Sequence, residues 1–175
     1  IGFSDNSFII ECDDEQIQTG DAMIVAGKEF IELMHSRGAV LLDTEMVLGS
    51  AELGSTGQPD KVGLRSDKNG NLGIVVTDWK SNQPKNFEVH SYTKLMLPPF
   101  QKYWDTSLSH YYIQLPLYAK LLMKMLEGTK FQDLKFFGAV VVLLRKEEFF
   151  EEHRVPGDVV NTVMTMDVKK YLKNK

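Results

Sequence analysis

The sequence predicts an α/β domain with a mixed central sheet flanked by helices. Three observations predict it. Apolar residues recur at helical spacing near 21–36 and again over 107–127. Short runs rich in Val, Ile and Leu, bounded by turn residues, read as strands between and after them. One of these, Ile74-Val75-Val76, is continuously apolar, as a central strand covered on both faces should be. The implied order is α-β-β-β-α-β-β(α), a mixed sheet in a single domain over residues 1–175.

Residues 1–20 are polar with scattered apolar positions and give no assignment. A helix is expected from Asp21, as N-cap, to Ser36, with Val25, Phe30, Leu33 and Met34 inward. Arg37-Gly38 ends it, the glycine being free to take the left-handed conformation. Strands are expected over Val40–Leu48, Asp60–Ser66 and Leu72–Lys80, with Asp67-Lys68-Asn69-Gly70 as a hairpin turn. Residues 81–106 hold three of the six prolines and read as a long loop with a short helix at most. The helix over Ser107–Glu127 carries Leu115, Leu117, Leu121, Leu122, Met125 and Leu126 toward the core, and Pro116 should kink or split it. Lys135–Arg145 is an apolar strand, and the acidic run Glu147–Glu152 reads as a solvated turn. A strand is expected near Val159–Met166, then a short helix capped by Asp167.

Composition excludes several classes. At 175 residues, 43% hydrophobic and 25% charged, the chain can bury a core of its own. A single cysteine, Cys12, permits no internal disulfide and points to a reducing, cytoplasmic compartment. No apolar run approaches the ~18 residues that span a membrane. The chain begins at Ile1 rather than Met, as a trimmed or excised sequence would. The net charge of −4 argues against a nucleic-acid partner, yet its distribution is uneven. From Lys80 to Trp104 four lysines (Lys80, Lys85, Lys94, Lys102) face one acid, Glu88.

The chemistry-bearing residues are Gly57-Gln58-Pro59-Asp60 and, eighteen residues after that aspartate, Asp78-Trp79-Lys80. Side chains alternate along a strand, so Asp78 and Lys80 share one face and Trp79 takes the other. A carboxylate and an ammonium on one buried face need partners. A hard divalent cation between Asp60 and Asp78 supplies one and lets the two acids approach. Lys80 then stands where it can hold the attacking water. Thirty-four residues beyond Lys80 comes Gln114, with Tyr118 one helical turn on and His110 one turn back.

The sequence Gly-x-x-Asp, Asp-x-Lys, Gln-x-x-x-Tyr, in that order, resembles the RecB-like branch of the PD-(D/E)XK nuclease superfamily. The wording around the motifs, Leu53–Asp60 and Ser109–Leu115, looks most like phage-encoded members. The resemblance covers about residues 21–145 and implies a restriction-endonuclease-like core. It implies a Mg²⁺- or Mn²⁺-dependent nuclease acting on DNA, an exonuclease or a nuclease of recombination, replication or repair, with a helicase or recombinase as partner. In a phage-encoded member the compartment is the host cytoplasm. The ligands it implies are Asp60, Asp78 and the Trp79 backbone carbonyl, with Glu45 in support through water and Glu52 as the competing choice. It assigns Lys80, Gln114 and Tyr118 to catalysis, and His110, Gln114 and Tyr118 to the substrate. Lys85, Lys94 and Lys102 join them as candidate phosphate contacts in the segment after the catalytic strand.

The chain departs from that family at one place. RecB-like nucleases usually carry a histidine shortly after a glycine on an early helix. After Gly27 this chain has Lys28-Glu29-Phe30-Ile31, so Glu29, Glu32 or the more distant His35 would have to substitute. Two other readings follow from this and from the absence of any feature that excludes RNA: a catalytically silent DNA-binding module on the same fold, and a viral-type RNA endonuclease. No Cys/His cluster suggests structural zinc.

Overall fold

The computed structural model describes residues 13–81, 87 and 94–173. Its first helix, α1 (Asp14–Ser36), starts seven residues before the expected Asp21. The start signal that Asp13 provides is a capping box. Asp13 Oδ1 accepts from the Gln16 N–H at 2.8 Å, and Gln16 Oε1 accepts from the Asp13 N–H at 3.1 Å. The first turns have no apolar face, which is why periodicity alone does not find them. Ala22, Ala26 and Phe30, four apart, form the buried stripe, while Val25, expected inward, is exposed. The helix ends at Arg37, and Gly38 takes φ +74° as expected.

The expected strand over 40–48 is two shorter ones. β1 (Ala39–Thr44) stops where Glu45 turns left-handed, at φ +52°. β2 (Leu48–Ser50) then leaves the main sheet to pair with β3 (Ser55–Gly57). β4 (Lys61–Ser66) and β5 (Leu72–Lys80) form the expected hairpin. Its turn is held by Asp67 Oδ1, which accepts from Asn69 and Asn71 N–H at 2.8 and 2.9 Å. α2 (Ser107–Leu126) runs through Pro116 without splitting. Proline removes one N–H from this helix, and Leu115, Pro116, Ala119 and Leu122 bury the same stretch. β6 (Lys135–Leu144) lies parallel to β5, so β5-α2-β6 is the crossover of the domain.

Two expectations at the C-terminal end are corrected. The acidic run is not all turn: β7 (Phe150–Arg154) pairs antiparallel with β6, and Arg145 and Arg37 meet Glu151 and Glu152. The expected strand near 159–166 is helix α3 (Gly157–Thr165). Val159 and Val163, four apart, are both buried against Phe100, and tertiary burial outweighs their β-branched preference for strand. α4 (Val168–Lys173) follows, with Asp167 Oδ1 accepting from the Lys170 N–H at 3.0 Å.

The main sheet has the order β1-β4-β5-β6-β7 and is mixed. Its two faces carry separate cores. Ile74, Val76, Val141 and Leu143 meet Leu115, Ala119 and Leu122 of α2. Val142 and Leu144 meet Ala26 and Phe30 of α1, with Trp79 alongside. β5 therefore sends Asp78 and Lys80 to the α2 side and Trp79 to the α1 side, as strand alternation requires.

Candidate active site

Antiparallel register builds the site. Lys61 pairs with Thr77, which sets Asp60, just ahead of β4, opposite Asp78 on β5. Asp60 is anchored by its Oδ2, which accepts from the Trp79 N–H at 2.7 Å. The loop before it is braced by main-chain bonds. Glu45 N–H donates to Asp60 O at 2.9 Å, and Gln58 Nε2 donates to Glu45 O at 3.0 Å.

Asp78 is only 3% exposed. Its Oδ2 is in ion contact with the Lys80 ammonium and has no partner of hydrogen-bond geometry. Burial pushes its pKa above the usual carboxylate value; Lys80 opposes the rise, and the neighbouring Asp60 adds to it. Lys80 Nζ also lies 4.7 Å from the centre of the Tyr111 ring.

α2 closes the site from above. Gln114 Nε2 donates to Tyr118 Oη at 2.6 Å, so the Gln-x-x-x-Tyr pair is one hydrogen-bonded unit. Burial raises the Tyr118 pKa, and the charge of Asp78 adds to the effect, which places the phenol beside the carboxylates. Gly57 is set by packing against α2. A Cβ there would come within 2.2 Å of Tyr118 Cε1, so only glycine admits the ring. The glycine and aspartate of Gly-x-x-Asp and the tyrosine of Gln-x-x-x-Tyr are thus parts of one packing arrangement. Trp79 behaves as alternation requires, its ring lying 3.0 Å from where a Cβ on Gly27 would sit.

Other expected residues are placed elsewhere. His110 is exposed, its Nε2 2.7 Å from Asp105 Oδ1, and it flanks the site rather than lining it. Glu45 contributes its main chain; its side chain is exposed. Glu52 pairs with Lys124 at 2.8 Å, and Lys124 also holds Glu127 near the end of α2. Lys102 is paired with Asp158, which also accepts from Tyr103 Oη at 2.8 Å. None of these partners of Lys102 is a site residue. Lys94 lies 3.4 Å from Asp105, beside His110. Lys85 falls outside the described residues. Glu29, Glu32 and His35 are exposed on α1, the helix on the opposite face of the sheet from α2.

Tyr111 is the residue the sequence reading missed. The inner stripe of α2 is Tyr111, Gln114 and Tyr118, and the i, i+7 tyrosine pair was the available signal.

The donors fit a hard cation that keeps part of its water shell. Among the described residues no group of three or more His, Cys, Asp or Glu side chains is placed to hold an ion. Two carboxylates, one of them buried and set opposite the other, suit Mg²⁺ or Mn²⁺, which take one or two carboxylates and retain waters. Neither models of known protein families nor curated proteins give a match to this chain.

Proposed function

We propose that this chain is a metal-dependent deoxyribonuclease of the RecB-like PD-(D/E)XK type, acting in DNA recombination, replication or repair within the cytoplasm. The observation that carries the reading is Asp78: a carboxylate 3% exposed, set opposite Asp60, with Lys80 on its own face. An apolar side chain would serve packing better there, so the buried charge argues for chemistry.

Asp60 and Asp78 are the residues that would hold Mg²⁺ or Mn²⁺, with the Trp79 carbonyl added by the family resemblance. When bound, such an ion would supply Lewis-acid chemistry at the scissile phosphate and lower the pKa of a bound water. Lys80, between Asp78 and the Tyr111 ring, positions that water and offsets the charge gathering on the phosphate. Tyr118 accepts from Gln114, which leaves its own hydrogen for a substrate oxygen. A phenol keeps that hydrogen at neutral pH, and burial raises the Tyr118 pKa further. Gln114 and Tyr118 thereby orient the substrate strand over the carboxylates.

One observation favours a second reading, a DNA-binding module that does not cut. α1 brings no acid or histidine to the α2 side, so the carboxylate pair stands without the helix ligand usual in the family. End-labelled linear DNA and circular DNA, each with Mg²⁺ and with Mn²⁺, separate the readings. Label released from linear DNA alone is exonuclease action, and nicking or linearisation of the circle is endonuclease action. DNA that is bound and left intact under all four conditions assigns the silent module.

A further inference from the structure

Among the described residues, the α1 face of the sheet is only partly covered. Ala26 and Phe30 pack on Val142 and Leu144, toward the C-terminal end of β6. Below them Val75, Phe137 and Val140 floor a cavity of about 190 Å³. Its rim carries Arg37, Arg65 and Arg154 against one acid, Glu152. Glu152 holds Arg37 through both oxygens, at 2.9 and 2.8 Å, and lies 3.9 Å from Arg154. Arg65 has no ion-pair partner among the described residues. The rim is therefore positively charged on balance, and arginine suits bidentate contact with carboxylates.

An apolar floor inside a cationic rim fits a segment that carries an apolar side chain beside carboxylates. A nucleic-acid backbone calls for cations along a track and has no use for the floor. The chain itself displays such a segment. Glu147, Glu148 and Phe149, in the turn between β6 and β7, are all exposed, Phe149 by 45%. The Arg145 N–H to Phe149 O bond, 2.9 Å, closes the turn, and Glu148 takes φ +60°. This turn cannot fill the groove of its own chain. The groove lies at Gly138–Val140 and the turn follows Leu144, roughly 13 Å further along a paired strand.

We propose that the groove receives the Glu147-Glu148-Phe149 turn of a second copy of this chain. Each copy carries both the turn and the groove, so two copies exchanging turns across a twofold axis form a dimer, and copies following one another head-to-tail form a ring or a filament. One turn in one groove buries little area, and the association is correspondingly weak.

Sedimentation velocity from low-micromolar to millimolar protein tests this. Wild type should shift to larger species as concentration rises. Arg65→Glu/Arg154→Glu and, separately, Glu147→Lys/Glu148→Lys should each remain monomeric, and an equimolar mixture of the wild-type chain with either should lose the largest species. Phe149→Ser, a change at an exposed position, should also remain monomeric, which keeps the test valid if an arginine variant fails to fold. A wild type that stays monomeric throughout overturns the proposal, and so does self-association that survives these substitutions. Neither result bears on the carboxylate site.

Discussion

Asp78 concentrates the physical tension of this molecule in one side chain. Burial and Asp60 both favour its protonated form, and only Lys80 favours the charged one. Replacing it with Asn should therefore leave the metal-free protein as stable as wild type or more so, by thermal melting, while Mn²⁺ binding measured by calorimetry is lost. Lys80→Ala should abolish cleavage with less than about a tenfold loss of DNA affinity, or roughly 1.4 kcal/mol. On the proposed function, one ammonium adds little to a many-phosphate interface but stands at the reacting centre. A larger loss, read by fluorescence anisotropy, would make Lys80 a docking residue. Gly57→Ala forces a methyl group into the Tyr118 ring and should cost about 1–3 kcal/mol in urea unfolding. Tyr118→Leu should relieve part of that cost, so the two changes should be non-additive.

At the scale of elements, legibility followed the strength of local signals. The β4–β5 hairpin and β6 were plain because turn chemistry and apolar runs agree there. α3 was misread because Val159, Val160 and Val163 favour strand locally, and what decides the helix is distant. Phe100 packs on Val159 and Val163, and the Lys120 ammonium of α2 donates to the Val163 and Met166 carbonyls at 3.0 and 2.6 Å. Lys120→Ala strips the last turn of α3 of that donor and should cost about 1–3 kcal/mol, with an unchanged urea slope. The break after β1 was equally invisible, since Glu45 in the left-handed region has no sequence mark of the kind glycine provides. Within the candidate site, hairpin register sets Asp60 opposite Asp78, strand alternation puts Lys80 on the Asp78 face and helix spacing joins Gln114 to Tyr118, all of which are local rules. The packing of Tyr118 on Gly57, which brings α2 to the hairpin, is tertiary and has no local signal. Lys102, Glu52 and His110 go elsewhere because each is held by an oppositely charged or hydrogen-bonding partner, Asp158, Lys124 and Asp105 in turn, that hydrophobic pattern and motif spacing do not reveal.

For the molecule as a whole, Asp78 links stability to pH, and the proposed function adds a link to divalent cations. The folded-state pKa of Asp78 lies above its unfolded value of about 3.9, so the folded state binds this proton more tightly. The protonated carboxyl thus favours folding at low pH, and that contribution is lost as pH rises from the unfolded value through the raised folded one. Asp105, held low by its hydrogen bond to His110, runs the other way and loses its contribution on acidification. In metal-free protein, any stability advantage of Asp78→Asn over wild type should be present at neutral pH and shrink as pH falls. Millimolar Mg²⁺ should raise the melting temperature of wild type and leave that of the variant unchanged. The most direct test of the account is the initial rate of Mn²⁺-dependent cleavage of end-labelled linear DNA by wild type and by Asp78→Asn, both shown to be folded by thermal melting. The account predicts label release by wild type that chelator abolishes, and none above background from the variant. Equal cleavage by the two proteins, or none by wild type, would contradict it.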